Sequence, residues 1–279
     1  MGSCRIVVGV DGPLGSGPAT DWAAERAALE TGRVVLLHVD SAQRPRAVHE
    51  SLPESPSVPT APESAAAPLL TSTAARVREC RPSVEVATRE VGGRPDEVLV
   101  ALGRDADLVV VGRPQRRHLG WRRSTCRHLL TRAQVPLVVV PAGARDRTGP
   151  VVVGLGTGPA SAAALQFAAR EARLRAVPLV AVHAWGDDDR LGALGGSAGL
   201  DDELEALLFL DRSAGEQGLQ GNVSLLPLRG SPVTQLLACS WQAQLVVVGG
   251  SRRGRGWLGH TLPEALLRAG IRTPVAVVP

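Results

Sequence analysis

Apolar runs separated by polar turns recur along the chain with the order of a parallel α/β sheet. The runs RIVVGV at 5–10 and RVVLLHV at 33–39 are continuous rather than alternating, which is typical of strands buried on both faces. Between them, residues 21–31 show the apolar periodicity of a helix, after a Gly-, Pro- and Ser-rich loop that reaches Ala19. Alternation of strand and helix predicts a doubly wound parallel sheet.

The same reading extends over the first half of the chain. Strands are predicted at 5–10, 33–39, 84–91, 107–112 and 135–141, and helices at 21–31, 69–79, 95–102 and 125–133. A Pro-, Ser- and Ala-rich stretch at 40–68 is longer than ordinary connections, so it is read as either a lid or a partly disordered segment.

The pattern restarts after a short polar stretch at 142–149. Strands are predicted at 151–154, 178–183, 224–228, 245–249 and 275–279, and helices at 160–176, 201–214, 231–240 and 262–270. Gly9 and His38 recur as Gly154 and His183, each about 145 positions later. We therefore expect two tandem α/β domains, at 1–145 and 149–279, each with a five-stranded parallel sheet.

Composition excludes several kinds of chemistry. The chain has 279 residues, of which 44% are hydrophobic but only 3% aromatic, so the cores must consist of Val, Leu and Ala. It contains no lysine, which excludes a Walker-type phosphate loop and a Schiff-base lysine. The four cysteines have no paired spacing, so neither a structural metal site nor a disulfide framework is expected.

The charge and the apolar pattern also limit the partners. The formal net charge is +4, without a continuous basic stripe or a set of stacking aromatics, so nucleic acid is not the expected partner. No apolar run reaches the roughly 18–20 residues that span a bilayer, and no signal peptide is recognised. A cytoplasmic protein without a membrane partner is the expectation.

Candidate binding residues follow the predicted strands, where parallel sheets place their ligands. Asp11 and Gly12 come directly after the first strand, and they form either a ligand-binding carboxylate turn or a simple Asp-Gly turn. Arg-rich loops follow the fourth strand of each half, at 113–123 and 252–255. Their guanidinium groups suit an anion, although a solvated loop face or an acidic partner explains them as well.

In their order, these segments resemble the universal stress protein family in its tandem two-domain form. The resemblance rests on VVGVDG at 7–12, LLHV at 36–39 with its echo VAVHAW at 180–185, and the ends DLVVVG…VPLVVVP and QLVVVGG…TPVAVVP. It implies strand order 3-2-1-4-5 in each half and a role in the stress response. The family's ATP-binding branch uses an Asp after strand one, the residue after the strand-two His, and a G-x2-G-x9-G-[S/T] loop.

Carried onto this chain, the resemblance implies an adenine-nucleotide site in which both halves depart from the family pattern. In the first half Gln115 and Arg123 stand at two of the glycine positions, and in the second half Leu155 is taken to replace the Asp while Ala184 takes the Val39 place. Ser124 and Thr125 either touch phosphate or cap the following helix. The implied nucleotide-binding residues are Asp11, Gly12, Val39, Gly112, Arg113, Ser124, Thr125, Gly154, Gly249 and Gly250.

The resulting hypothesis is a universal stress protein that binds ATP weakly in its first domain. No catalytic constellation and no metal ligand set has a readable spacing, so we do not expect an enzyme. The alternative is a nucleotide-independent interaction protein that acts through its Arg-rich loops and through a homodimer or an intramolecular pseudo-dimer, with last strands available for pairing.

Overall fold

Parallel strands form the centre of both halves of the chain. The computed structural model describes residues 4–41, 66–113, 125–144, 148–185, 203–250 and 261–279, and everything below concerns those ranges. The chain divides into two compact units, Met1–Ala144 and Arg145–Pro279. Each unit is described separately.

In the first unit, five described strands pair in the order β3-β2-β1-β4-β5, all parallel. The strands are β1 Arg5–Gly9, β2 Arg33–Asp40, β3 Glu85–Gly92, β4 Leu108–Arg113 and β5 Leu137–Pro141. The helices are α1 Pro13–Ala28, α2 Ala67–Cys80, α3 Pro95–Gly103 and α4 Thr125–Arg132. Helix α1 packs with α2 and helix α3 with α4, as in a doubly wound sheet.

The second unit repeats this arrangement with the order β8-β7-β6-β9-β10. Its strands are β6 Val151–Gly154, β7 Leu179–Trp185, β8 Ser224–Arg229, β9 Leu245–Gly249 and β10 Val275–Val278. Its helices are α5 Ala160–Leu174, α6 Glu203–Glu216, α7 Pro232–Ser240 and α8 Leu262–Arg268. The predicted fold class and the strand order 3-2-1-4-5 are therefore confirmed in both units.

Helix α1 begins earlier than the sequence pattern predicts. The expected loop up to Ala19 is helical from Pro13, because Pro suits the first helical position and its fixed φ starts the turn. The hydroxyl of Thr20 donates to the carbonyl of Ser16 at 2.9 Å, so a polar side chain is accommodated within the helix. Ala23 and Ala27 are buried, which brings α1 close to the sheet.

A buried ion pair near the end of the first helix of each unit occurs with its charges exchanged. Arg26 of α1 pairs with Glu30 at 2.9 Å, whereas Glu171 of α5 pairs with Arg175 at 3.3 Å. Glu171 is fully buried, and Arg175 provides a partner of opposite charge. The two units therefore keep the interaction while reversing the residue types.

At the start of β7, a side-chain hydrogen bond takes the place of a backbone hydrogen bond that a proline cannot make. In the first unit the amide of Arg33 donates to the carbonyl of Cys4 at 2.8 Å. The corresponding position before β7 is Pro178, which has no N–H. Instead, Nε2 of Gln244 donates to the carbonyl of Gly149 at 2.6 Å, while Arg175 donates to its Oε1 at 3.3 Å.

Replacing Gln244 with leucine is expected to destabilise the second unit by about 1–3 kcal/mol, because the Gly149 carbonyl would lose its partner. The free energy of unfolding, measured by urea denaturation, checks this. Gln166→Leu is the matched control: Gln166 is exposed, and the change should stay within about 0.5 kcal/mol. Equal effects of the two substitutions would contradict the assignment.

No helix within the described ranges is long and apolar enough to cross a membrane. The same ranges contain no group of His, Cys, Asp or Glu side chains that could hold a metal ion. Cys4, Cys80, Cys126 and Cys239 are all free thiols.

Candidate functional site

The carboxyl ends of β1 and β4 mark the point in the first unit where strand order reverses. Strand β1 lies between β2 and β4, and the sheet continues to β3 on the side of β2 and to β5 on the side of β4. Asp11 and Gly12 follow β1, Val39 lies near the end of β2, and Gly112 and Arg113 end β4. The fold thus gathers these predicted residues at the edge where parallel sheets bind ligands.

Asp11 lies on the solvent side of this edge but is not fully hydrated. The residue as a whole is exposed. Partial burial of its carboxyl group nevertheless raises the pKa of Asp11 above the ordinary value, while a backbone hydrogen bond and the nearby His38 lower it by less. The carboxylate is therefore accessible to a ligand and stronger as a hydrogen-bond acceptor than a fully solvated one.

Gly12 has a backbone conformation that requires glycine. Its φ is 154°, and a Cβ added there would meet no atom of the described residues within 4 Å. The residue caps the start of α1, with the amide of Ser16 bonded to its carbonyl at 3.1 Å. The turn after β1 is therefore formed by the backbone and leaves open space beside Asp11.

His38 connects the ends of β1 and β2. Its Nδ1 lies 2.8 Å from the carbonyl oxygen of Val10. Since a carbonyl only accepts, Nδ1 carries the hydrogen and Nε2 is the free acceptor of the neutral ring. This bond joins Val10, which immediately precedes Asp11, to His38, which immediately precedes Val39.

Cys126 lies beside Gly112 at the end of β4, and it is not among the residues predicted from the sequence. Its Sγ lies 3.8 Å from the carbonyl oxygen of Gly112. Burial raises the pKa of Cys126 to about 11, the charge of Arg113 lowers it, and the charge of Asp11 raises it. The charges of Arg113 and Asp11 therefore both act on this one buried thiol. The apolar spacing of Cys126 and Leu129 within α4 was the available signal.

Of the remaining predicted residues of the first unit, only Thr125 lies within the described ranges. Thr125 is the first residue of α4 and is half-buried. Ser124, the arginines at 116, 117, 122 and 123, and Gln115 lie outside the described residues. The structure therefore describes the nucleoside side of the predicted site, and the phosphate loop stays a prediction.

The equivalent edge of the second unit has the same histidine bond, but no carboxylate follows β6 at the position of Asp11. Nδ1 of His183 lies 2.8 Å from the carbonyl oxygen of Leu155, as His38 does from Val10. Leu155 therefore corresponds to Val10, and Gly156 takes the Asp11 position. The assignment of Leu155 as the replacement for Asp was wrong by one residue.

Ser161 closes the turn at Gly156 internally. Its hydroxyl donates to the Gly156 carbonyl at 2.6 Å and accepts from the Gly156 amide at 3.1 Å. Both backbone groups of the residue that replaces Asp11 thus have partners within the protein.

Close contacts within the protein surround the three glycines predicted in the second unit. A Cβ on Gly154 would lie 2.8 Å from Leu236, and one on Gly249 would lie 2.9 Å from the Cβ of Ala160. The amide of Gly250 already donates to the Val278 carbonyl at 2.6 Å. Close packing is therefore one explanation for glycine at positions 154 and 249, and the predicted nucleotide contact of all three residues stays a prediction.

The universal stress protein family model matches residues 4–141 and again residues 148–279, which together are nearly the whole chain. The chain belongs to the universal stress protein family. The resemblance seen in the sequence is thereby confirmed, including its tandem form.

Curated relatives of this universal stress protein cover almost its full length. A universal stress protein of Mycolicibacterium smegmatis is 33% identical over 288 residues, covering 98% of this chain and 96% of the relative. One from Mycobacterium tuberculosis H37Rv is 30% identical over 285 residues, with the same coverage of both chains.

Solved structures support the fold of this universal stress protein. The crystal structure of a universal stress protein from Archaeoglobus fulgidus matches with a TM-score of 0.70 at 15% identity, over 98% of this chain and 95% of that one. A functionally unknown protein of Pseudomonas aeruginosa matches with a TM-score of 0.61 at 14% identity, over 98% and 92%. At these identities the likeness concerns the fold alone.

Proposed function

We propose that this universal stress protein binds an adenine nucleotide, with ATP as the expected ligand, at the carboxyl edge of its first sheet. The observation that carries the proposal is the accessible Asp11 carboxylate beside the open turn at Gly12. A carboxylate in this position accepts hydrogen bonds from ribose hydroxyl groups, as an acidic residue does in other doubly wound folds.

The surrounding residues suit the rest of such a ligand. Val39, half-buried beside the tethered His38, offers strand-end backbone for the base. Arg113 adds a positive charge at the end of β4, on the side from which the predicted phosphate loop leaves. These groups therefore fit a nucleoside with an anionic tail. Because glycines of the family's phosphate loop are missing, the proposed affinity is weak.

The second unit is proposed to be structural. Gly156 supplies no carboxylate, Ser161 uses its backbone groups, and the Gly250 amide is already bonded. We also propose binding without dedicated catalysis, because the buried Cys126 is a poor nucleophile: burial raises its pKa to about 11.

Calorimetric titration of the full chain with ATP tests the proposal. We expect weak binding in the high micromolar to millimolar range, roughly 4–6 kcal/mol in free energy, with a single site per chain. The rate of phosphate release should not exceed the rate of ATP hydrolysis in buffer alone. Absence of heat at millimolar ATP would remove the binding proposal, and two equivalent sites would remove the assignment of the second unit.

A further inference from the structure

His183 lies in a closed apolar slot at the end of β7. Only 1% of its surface is exposed. Its ring packs against Phe209 of α6, with ring centroids 4.7 Å apart and planes tilted by 53°. The bond from Nδ1 to the Leu155 carbonyl fixes the neutral tautomer that has its lone pair on Nε2.

That lone pair has no partner. Within the described residues, Nε2 of His183 is buried and accepts no hydrogen bond. A proton added there would create a cation whose new N–H is buried and meets no acceptor among the described residues. Both the charge and the unsatisfied donor are costly in an apolar slot.

The elements around the ring bring no compensating charge among the described residues. On β8 the register partner of His183 is Pro227, and the nearby Arg229 lies over the Trp185 ring at 5.7 Å from its centroid. Helix α7 contains no charged residue, and on α5 Glu171 pairs with Arg175. The charged residues of α6 are all exposed, namely Glu203, Glu205, Asp211, Arg212 and Glu216.

Helix α6 is held by a narrow contact. Its buried residues are Ala206, Leu210 and Ala214, so a single large side chain is fully inserted. Leu204 and Leu208, by contrast, are 64% and 53% exposed. An element with so few buried apolar contacts opens at low free energy, and the ring contact of Phe209 with His183 is a further contact that joins α6 to β7.

We propose that His183 is an acid-sensitive latch, whose protonation releases α6 from the carboxyl end of β7. The equivalent His38 makes the same bond to Val10 but is only half-buried, so its ring does not lie in a closed slot. The latch therefore belongs to the second unit, and it is independent of nucleotide binding in the first.

The direction of the effect follows from the pKa shift. Burial lowers the pKa of His183 below the ordinary value of about 6.5, and its hydrogen bond to Leu155 opposes this only in part. The open state, with a solvated ring, therefore binds the proton first. The closed contact is fully stable above pH about 6.5 and loses stability as the pH falls below that value.

Hydrogen exchange of the full chain at pH 7.5 and 5.5, corrected for the intrinsic pH dependence of exchange, tests the latch. Peptides from α6 and β7 should lose about tenfold in protection at the lower pH. In His183→Asn, which keeps a donor toward Leu155 but cannot gain a proton, this loss should disappear. His38→Asn is the matched control and should behave as the wild type.

An equal loss of protection in His183→Asn, or a loss spread evenly over both units, would overturn the proposal. If that variant does not fold, the imidazole signals of the wild type decide by NMR. His183 should remain neutral below pH about 6.5 for as long as α6 stays protected. Titration at its ordinary value with α6 still protected would overturn the latch.

Discussion

Replacing Asp11 with alanine is expected to weaken ATP binding by at least about tenfold. The substitution removes a charged acceptor whose hydrogen bonds to a ligand contribute about 1.5–3 kcal/mol. It should leave the fold intact, because Asp11 is exposed and the turn beside it is formed by the backbone of Gly12. Calorimetry under the conditions used for the wild type measures the change.

Asp211→Ala is the control for the loss of one negative charge. Asp211 is also exposed, but it lies on α6 of the second unit. Its removal should leave ATP affinity unchanged. If Asp11→Ala binds ATP as well as Asp211→Ala does, Asp11 is a turn residue and the nucleotide, if bound, lies elsewhere.

The largest expected effect on stability is that of Gly149→Ala. A Cβ at this position would overlap the backbone carbonyl oxygen of Gln242, and neither backbone can rotate away as a side chain would. The same glycine also accepts the bond from Gln244. We expect the second unit to lose about 3 kcal/mol or more, seen as a lower midpoint in urea denaturation.

Gly154→Ala, five positions further along the chain, separates this explanation from a general intolerance of the region. Its Cβ would also be crowded, but by the end of the Leu236 side chain, which can move. A cost of about 1 kcal/mol is expected there. If Gly154→Ala is as destabilising as Gly149→Ala, overlap with a rigid carbonyl is not what sets the cost.

Strong local patterns made the sheet predictable. Continuous runs such as 107–112 and 245–249 are too apolar for exposed strands, and the repeated spacing of Gly9 and His38 fixes which elements correspond. The family, its tandem form and the strand order were confirmed. The predicted boundaries of the two domains and the individual site residues stay predictions.

Tertiary contacts decided what the pattern could not show. The start of α1 looked like a loop because Pro, Gly and Ser are usual in loops, yet Pro13 begins a helix and Thr20 bonds within it. The one-residue error at Leu155 could have been avoided, because the spacing of Gly9 and His38 from Gly154 and His183 already places Leu155 opposite Val10, as the histidine bond confirms. Cys126 was missed because its neighbours come from β1 and β4.

A glycine in the sequence has more than one physical explanation. Gly249 and Gly250 lie in a family motif position, which suggests phosphate contact. The structure shows Ala160 pressed against one and the amide of the other bonded to Val278. A sequence records that no side chain fits at such a position, but not whether a ligand or the protein itself fills the space.

Hydrogen exchange with and without saturating ATP at pH 7.5 is the most direct test of a nucleotide site confined to the first unit. Added protection is predicted in peptides that carry Asp11, Val39 and Gly112, and none in those that carry Gly156 and Gly249. Protection at the second set, or no protection anywhere, would contradict the account.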